Sequence, residues 1–501
     1  MSILRDLFLS SDGNRGWLRS LTYFLPIALI TLLSHRDIFT GTKPATGTAH
    51  PEQSINMAMN AAYCGKPSLW SSRYSPQVFL TTRPDLMSAP LRNVIAAMAG
   101  SVDAYCQTAN EPVVVSENSL FWLTRLALWQ NVHLTADQLG DFLGAIRIAM
   151  VLVFGFALLR TGSSVLFTLA AVIIGAGILR SLGVRDSIYP FVTCMPLMAA
   201  GLYGMAMSSP AIRRGGVWSV LFALAMGIVT AFCASMRTTH LYMLGAMFLI
   251  YLAMLFTGRD RARETPAVVK GLTAAAASFV VGYVAYLSVF IYPLRISDNP
   301  NVSNYVYHTF MHQVVLGLAV PDNAFAKSQG VAWDDMVGFG IAKRMDPKVT
   351  YYGPTYEGAL LKFYTGLWRD HPREMLGVYA LKMRSNGDEV FLSAAGVGER
   401  YYIPRIFGET MHKITNGFAI MAIVIAAFLA AMWRYLKTGR TRVLVIGMVA
   451  LAALTSMGEG FLTYSIFVGI YYSIVLYFMF FLAFVLIQAA VDAAAAKASS
   501  R

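Results

Sequence analysis

Charged side chains are scarce in this sequence. Only 13% of its 501 residues are Asp, Glu, Lys or Arg, whereas an ordinary soluble domain has about 25%. Hydrophobic residues make up 56% of the chain, and the mean hydropathy is +0.54. A charge at the bilayer centre costs about 2.5–3.5 kcal/mol on insertion scales, so a lipid-facing surface requires this shortage. The composition therefore predicts an all-α polytopic membrane protein, since a β-barrel would have short alternating segments instead.

The short motifs of soluble enzymes are missing too. The chain has no P-loop, no G-x-G-x-x-G after a strand, no H-E-x-x-H and no G-x-S-x-G. Each of these motifs carries a particular chemistry, on phosphates, dinucleotides, zinc or a nucleophilic serine. Any chemistry must therefore come from polar groups at the membrane face.

Cysteine is rare, with four in the chain. Cys194 and Cys233 lie in apolar runs and are predicted to be buried packing residues. Cys64 and Cys106 both lie in the first long polar segment. They form a disulfide if that segment is extracytoplasmic, and are two unpaired thiols otherwise.

Long apolar runs are abundant, and they cover roughly residues 17–34, 142–160, 164–180, 187–207, 216–235, 239–257, 268–294, 414–435, 442–458 and 461–488. A helix needs about 20 residues to cross the hydrocarbon core, so about ten spans are predicted. Two polar segments interrupt them, at 34–141 and 295–413. We expect a membrane module over 1–294 with the first loop, a small folded unit over 295–413, and the last spans over 414–501.

Basic residues set the predicted orientation. The net charge of +13 raises the alternative of a nucleic-acid partner, but Lys and Arg cluster beside apolar runs, as in proteins oriented by the positive-inside rule. The clusters precede the first run, follow the fourth, sixth and eighth, and recur at the C-terminus. This pattern predicts cytoplasmic termini and two extracytoplasmic loops, without a cleavable signal peptide. The expected location is the bacterial inner membrane.

Each long loop has predicted helices. In the first loop, 91–105 and 119–129 have helical apolar spacing, and the second of these has Trp122, Arg125 and Trp129. Aromatic residues beside a basic one favour the membrane surface, although packing within the loop is the alternative. In the second loop, turn signals alternate with helical stretches over 356–368 and 372–384.

The outward membrane face offers candidate catalytic and phosphate-binding residues. Asp37 follows the first span and is a candidate general base, unless it is a hydrated acid paired with Arg36. Other charged or ionisable residues on the outward side lie in the short connections between spans. Arginines in such places can bind a phosphate with two parallel hydrogen bonds, or form interfacial charge pairs. These groups are Arg180, Arg185, Asp186, Arg237 and His240.

The loops themselves offer candidate acceptor-binding residues. Glu117 precedes the helix at 119–129, where a capping role is the alternative for its neighbours. His308 and His312 are four residues apart and share a helix face, a spacing that permits a metal site but assures no third ligand.

A second group of candidates follows in the same loop. Its acids can hold a divalent cation or cap a helix, and its rings can stack on sugars or fill a core. Its members are Trp333, Asp334, Asp335, Tyr352, Tyr356 and Glu357.

The layout of residues 1–293 resembles the GT-C superfamily of integral membrane glycosyltransferases. Members have a long extracytoplasmic loop after the first span, with a catalytic acid near its start; Asp37, in His35-Arg36-Asp37-Ile38, occupies that place. A second acid often lies in the next outward loop, where Asp186 stands in Arg185-Asp186-Ser187. The chain departs from the family in lacking a paired acid beside Asp37 and in its large second loop.

The resemblance implies transfer of a sugar from a polyprenyl-phosphate donor to a glycan, lipid or protein acceptor. No cofactor is required, because polyprenyl phosphate is a good leaving group, although a divalent cation is possible. Two alternatives remain: an O-antigen-type glycan polymerase or ligase, and a lipid or glycan transporter, which would need charges within the spans.

Overall fold

The computed structural model describes residues 2–11, 14–34, 59–64, 79–80, 82–108, 118–130, 133–183, 191–213, 216–236, 239–257, 265–291, 310–350, 353, 355–384, 417–463 and 473–499. Within these ranges the structure is helical and has no β-strand, apart from an isolated bridge between Pro90 and Thr135.

The N-terminal part contains a series of helices and two π-turns. In chain order the helices are α1 (Ser2–Phe8), α2 (Trp17–Ser34), α3 (Leu91–Ala99), α4 (Val102–Thr108), α5 (Asn118–Gln130), α6 (Ala136–Arg160), α7 (Val165–Gly183), α8 (Phe191–Ser208), α9 (Val217–Ala234), α10 (Thr239–Thr257) and α11 (Thr265–Tyr286). The first π-turn is Asn60–Cys64, and the second, Leu287–Ile291, continues α11.

The C-terminal part continues with shorter helices and then long ones. They are α12 (Phe310–Gly317), α13 (Ala324–Ser328), α14 (Asp335–Met345), α15 (Tyr356–Asp370), α16 (372–384), α17 (Gly417–Thr438), α18 (Thr441–Leu462) and α19 (Ser473–Ser499).

Among the described residues, eight helices are long and apolar enough to cross a membrane: α2, α6, α8, α9, Lys270–Ile291, α17, α18 and α19. Two shorter apolar stretches, Val165–Leu179 in α7 and His240–Leu255 in α10, correspond to the other two predicted spans. The all-helical membrane architecture predicted from the sequence is thus present.

Two predicted span boundaries were wrong. The break expected between the runs 442–458 and 461–488 lies inside α18, where Met457 and Gly460 are buried. A glycine inside a helix costs only about 1 kcal/mol, which packing offsets. Helix α6 begins earlier than expected, because Thr135 and Gln138 form a reciprocal capping box at its start.

The N-terminal residues pack across one end of the bundle, which we call the basic end. Arg15 N–H donates to the Arg160 carbonyl (3.1 Å), Asn14 donates to the Ser208 carbonyl (3.1 Å), and Thr441 donates to Asn14 (2.8 Å). These bonds place the C-terminal ends of α6 and α8 beside the start of α18. Asp6 pairs with both Arg15 and Arg19, which offsets part of the positive charge there.

The opposite ends of the helices meet the loops, and we call this side the loop end. The start of α3 contacts the segment before α6 through Leu91 N–H and the Leu134 carbonyl (3.0 Å), and Ser119 N–H donates to the Ser235 carbonyl after α9 (3.0 Å). Thr193 and Ser473, near the starts of α8 and α19, are hydrogen-bonded. Helices α3 and α5 of the first loop therefore lie at this end of the bundle.

Small residues let α9 and α11 approach closely. A Cβ added at Gly227 would lie 2.1 Å from the Phe279 carbonyl oxygen, and one at Gly282 would lie 2.2 Å from that of Leu224. Such backbone-to-backbone packing is typical of helix pairs in membranes. This pair ends at the loop end in the second π-turn, which contacts α5.

Residues 310–384 form a helical unit with its own core, which we call the loop unit. Its core includes Val315, Ile341, Leu360 and Met375. Phe461 of α18 packs on this core, with its ring centroid 4.9 Å from that of Tyr379. The loop unit is therefore seated on the end of a spanning helix.

Candidate functional site

An open groove lies at the loop end between α5 and the first π-turn. Its volume is about 630 Å³. Its wall combines aromatic rings, leucines and one cation. The lining residues are Ala62, Tyr63, Trp122, Arg125, Leu126, Leu128 and Trp129.

Helix α5 is fixed against the bundle by the side chains at its start. The Ser119 hydroxyl lies 2.7 Å from the Phe232 carbonyl and 2.8 Å from the Tyr286 hydroxyl. One turn later, the Trp122 indole N–H donates to the Phe290 carbonyl in the second π-turn (2.8 Å). π-Turns leave carbonyl groups outside the regular helical ladder and often occur at functional sites. One wall of the groove is therefore rigid.

A disulfide holds the other wall. Cys64, the last residue of the first π-turn, is bonded to Cys106 of α4, a pairing that the sequence left open. Tyr63 precedes Cys64, and partial burial raises the pKa of its hydroxyl. Tyr63 is therefore a neutral hydrogen-bonding group at neutral pH.

The groove is amphiphilic. Trp129 is 84% exposed, and Leu126 and Arg125 are also exposed. The guanidinium of Arg125 lies 5.9 Å from the Phe121 ring centroid. A guanidinium can bind phosphate oxygens in pairs, while indole rings favour the boundary between water and lipid. The groove can thus accept a molecule with an apolar tail and an anionic head.

Six predicted acceptor residues of the second loop are described, and two of them, His312 and Tyr356, are buried. His312 is 1% exposed, with Nδ1 2.7 Å from the Tyr356 hydroxyl and Nε2 3.1 Å from Asp335 Oδ1. Tyr356 is fully buried. Of the two roles left open for the Tyr356 ring, stacking on a sugar or filling a core, the structure shows the second. His312, which was predicted as an acceptor-binding residue, also lies in the interior of the loop unit.

Two acids of this group stabilise helix starts. Asp334 accepts N–H groups of Met336 (2.7 Å) and Val337 (3.4 Å), as expected for the N-cap of α14. Glu357 accepts N–H groups of Met311 (3.0 Å) and His312 (3.2 Å) at the start of α12. Of the described residues in this set, Trp333, Asp334 and Asp335 are exposed, and the carboxylate of Asp334 is engaged in the helix cap.

His240 does not lie where a phosphate could reach it. The ring is fully buried, and Nδ1 and Nε2 face the carbonyl oxygens of Cys233 (2.9 Å) and Phe191 (3.0 Å). The phosphate-binding role predicted for it is not supported by this geometry, because the imidazole joins α8, α9 and α10 instead.

For eight further predicted site residues, the whole residue or its side chain lies outside the part of the chain that the structure describes. They are Asp37, Glu117, Arg180, Arg185, Asp186, Arg237, His308 and Tyr352. Asp37 comes three residues after Ser34, the last residue of α2.

Sequence reasoning missed two buried cations. Arg147 lies inside α6, where its Nε–H donates to the Leu143 carbonyl (3.0 Å) and its guanidinium covers the Phe191 ring. Lys382 of α16 is fully buried beneath the end of α18. Arg147 has apolar neighbours in α6, a signal that identifies a candidate but not its contacts. The helix of Lys382 also contains Arg373, Glu374 and Arg384, so its sequence gives no such signal.

Among the described residues, no group of three His, Cys, Asp or Glu side chains could hold a metal ion. His312 and Asp335 provide two such side chains, and the binding of a divalent cation stays a prediction.

Comparison with known proteins gave no match: no family model matches the chain, and no curated protein or solved structure is significantly similar to it.

Proposed function

We propose that this chain is a membrane glycosyltransferase that moves a sugar from a polyprenyl-phosphate donor to an acceptor at the loop end. The observation that carries the proposal is the groove, where Arg125 lies among Tyr63, Trp122 and Trp129 at the end of a spanning bundle. A polyprenyl-phosphate sugar has a phosphate between a long apolar chain and a hydrophilic sugar. The phosphate matches the cation of the groove, the apolar chain matches its leucines, and the sugar matches its aromatic rings.

The sidedness of the proposal rests on two features. The Cys64–Cys106 disulfide favours an oxidising compartment at the loop end. Basic side chains favour the cytoplasm at the other end. In that orientation the groove opens at the outer membrane face, where the scissile bond of a flipped lipid-linked sugar would lie.

The proposed reaction needs one base and no oxidant. The acceptor hydroxyl oxygen forms a bond to the anomeric carbon as the bond from that carbon to the phosphate oxygen breaks. Polyprenyl phosphate leaves with the electron pair, and the hydroxyl proton passes to a carboxylate. We assign that carboxylate to Asp37, because it follows the loop end of α2. Arg125 would stabilise the charge gained by the leaving phosphate.

Donor binding tests the role of the groove. The purified protein in lipid nanodiscs is titrated with a panel of polyprenyl-phosphate monosaccharides carrying radiolabelled sugars. We expect Arg125→Ala to weaken donor binding at least ~10-fold, since a hydrogen bond to a charged group contributes about 1.5–3 kcal/mol. The matched control is Arg83→Ala, because Arg83 is an exposed first-loop arginine paired with Asp85 (2.8 Å). Equal donor affinity in both variants would remove Arg125 from the site.

A further inference from the structure

A chain of three polar side chains runs from the core of the loop unit to its surface. The buried Tyr356 hydroxyl meets His312 Nδ1 at 2.7 Å, and His312 Nε2 meets Asp335 Oδ1 at 3.1 Å. A neutral imidazole with its proton on Nε2 satisfies both contacts, accepting from Tyr356 and donating to Asp335. The outer member, Asp335, has a side chain that is 59% exposed.

Three helices hold the central imidazole in place. Glu357 of α15 accepts the main-chain N–H groups at the start of α12, which carries His312. Gly338 of α14 leaves room for the ring, because a Cβ there would lie 3.1 Å from its Cε1 and Nδ1 atoms. An exposed carboxylate ordinarily turns freely, whereas Asp335 is hydrogen-bonded to a buried ring.

Two exposed apolar side chains lie close to Asp335 in the sequence. Trp333 is 37% exposed and Met336 is 63% exposed, on either side of Asp335 in sequence. A fixed carboxylate accepts hydrogen bonds from neighbouring hydroxyl groups, and an indole face packs against the C–H face of a sugar ring. A cation fits less well, since no third metal ligand joins His312 and Asp335 among the residues described.

We propose that Asp335 and Trp333 form a carbohydrate-binding subsite on the loop unit, with His312 as the residue that positions the Asp335 carboxylate. The ligand class is a hydroxyl-rich glycan. Its identification as the acceptor rests on the proposed function, whereas the binding of carbohydrate does not.

Glycan binding by the full-length protein in nanodiscs tests the subsite. The probes are hexose, hexosamine and uronic-acid oligosaccharides on a printed array, and affinities are then measured by calorimetry. We expect Asp335→Asn and Trp333→Ala to weaken binding about 10-fold or more. Asp322→Asn is the matched control, because Asp322 is an exposed acid of the same unit paired with Lys327. The proposed subsite would be overturned if the array retains no glycan, or if Asp335→Asn binds glycan with the affinity of wild type.

Two substitutions separate positioning by His312 from a role in folding. His312→Gln keeps an N–H donor that can reach Asp335, and His312→Leu does not. We expect the glycan affinity of the Gln variant to lie within about 3-fold of that of wild type, and the affinity of the Leu variant to be about 10-fold lower than that of wild type. The two variants are compared at equal thermal stability. Equal affinity in the two variants would contradict positioning. Glycan binding without sugar transfer would keep this subsite and reject the transferase proposal.

Discussion

The ammonium group of Lys382 lies 3.3 Å from the main-chain carbonyl oxygen of Leu462, the last residue of α18. It also lies 3.4 Å from the Thr463 carbonyl. Carbonyls at a helix C-terminus have no partner within the helix and carry partial negative charge. A cation from the loop unit therefore satisfies the end of a spanning helix, which couples the two parts of the protein.

Burial lowers the pKa of Lys382 to about 7, from an ordinary value of 10.5. The folded protein thus binds fewer protons than the unfolded chain between these values. The stability that this group contributes is fully present above pH 10.5 and is lost as the pH falls to about 7. We expect wild-type stability to rise by about 2 kcal/mol between pH 7 and pH 9.

Lys382→Met should abolish this rise, because the variant has nothing to deprotonate there. Thermal unfolding in detergent over that pH range checks the prediction, with the exposed Lys327→Met as control. A Lys382→Met variant that keeps the wild-type pH dependence would show that another group titrates.

Gly317 is a further point where the loop unit meets the end of α18. A Cβ there would lie 1.5 Å from the Thr463 carbonyl oxygen. We expect Gly317→Ala to push the loop unit from its seat, to lower stability by about 1–3 kcal/mol or more, and to speed hydrogen exchange in α16. Gly340→Ala is the control, since nothing lies within 4 Å of a Cβ at that helical position. Unchanged exchange in Gly317→Ala would mean that the two parts are not packed this way.

The disulfide provides a test of sidedness. If the loop end faces an oxidising compartment, Cys64 and Cys106 should resist alkylation in freshly isolated membranes and gain two labels after reduction. The bond closes a sequence separation of 42 residues, for which the chain-entropy account gives about 4 kcal/mol. Reductant should therefore destabilise wild type but not the Cys64→Ser, Cys106→Ser double variant. Labelling of both cysteines without reductant would place the loop end in the cytoplasm.

The sequence alone predicted the features that depend on local patterning. The apolar runs and the loop helices follow from hydrophobic length and periodicity, and the structure contains them, although the stretch at 91–105 is divided into α3 and α4 at Gly100. Capping was one of two roles left open for Asp334, and the structure has the cap. The predictions that failed depended on tertiary contacts. Nothing local distinguishes an exposed Tyr356 from a buried one, or a phosphate-binding His240 from one enclosed by main-chain carbonyls.

The groove, too, could be predicted only in part from the sequence. Trp122, Arg125 and Trp129 were recognisable as a membrane-surface pattern, but Tyr63 was not. Its place opposite α5 depends on the pairing of Cys64 with Cys106, which joins distant parts of the chain. Lys382 was missed for a related reason, since an amphipathic helix gives no sign that its lysine faces another helix end.

Sugar transfer by the purified protein tests the central claim most directly. The protein in nanodiscs is given a polyprenyl-phosphate sugar with a radiolabelled sugar and a glycan acceptor, and both labelled product and released polyprenyl phosphate are measured. We predict equal amounts of the two products for wild type and a rate about 100-fold or more lower for Asp37→Asn, because the general base is lost. Wild-type transfer by Asp37→Asn would reject the assigned base. The account would be contradicted if the donor is left unconsumed, is moved intact across a bilayer, or is joined to the acceptor as a whole glycan.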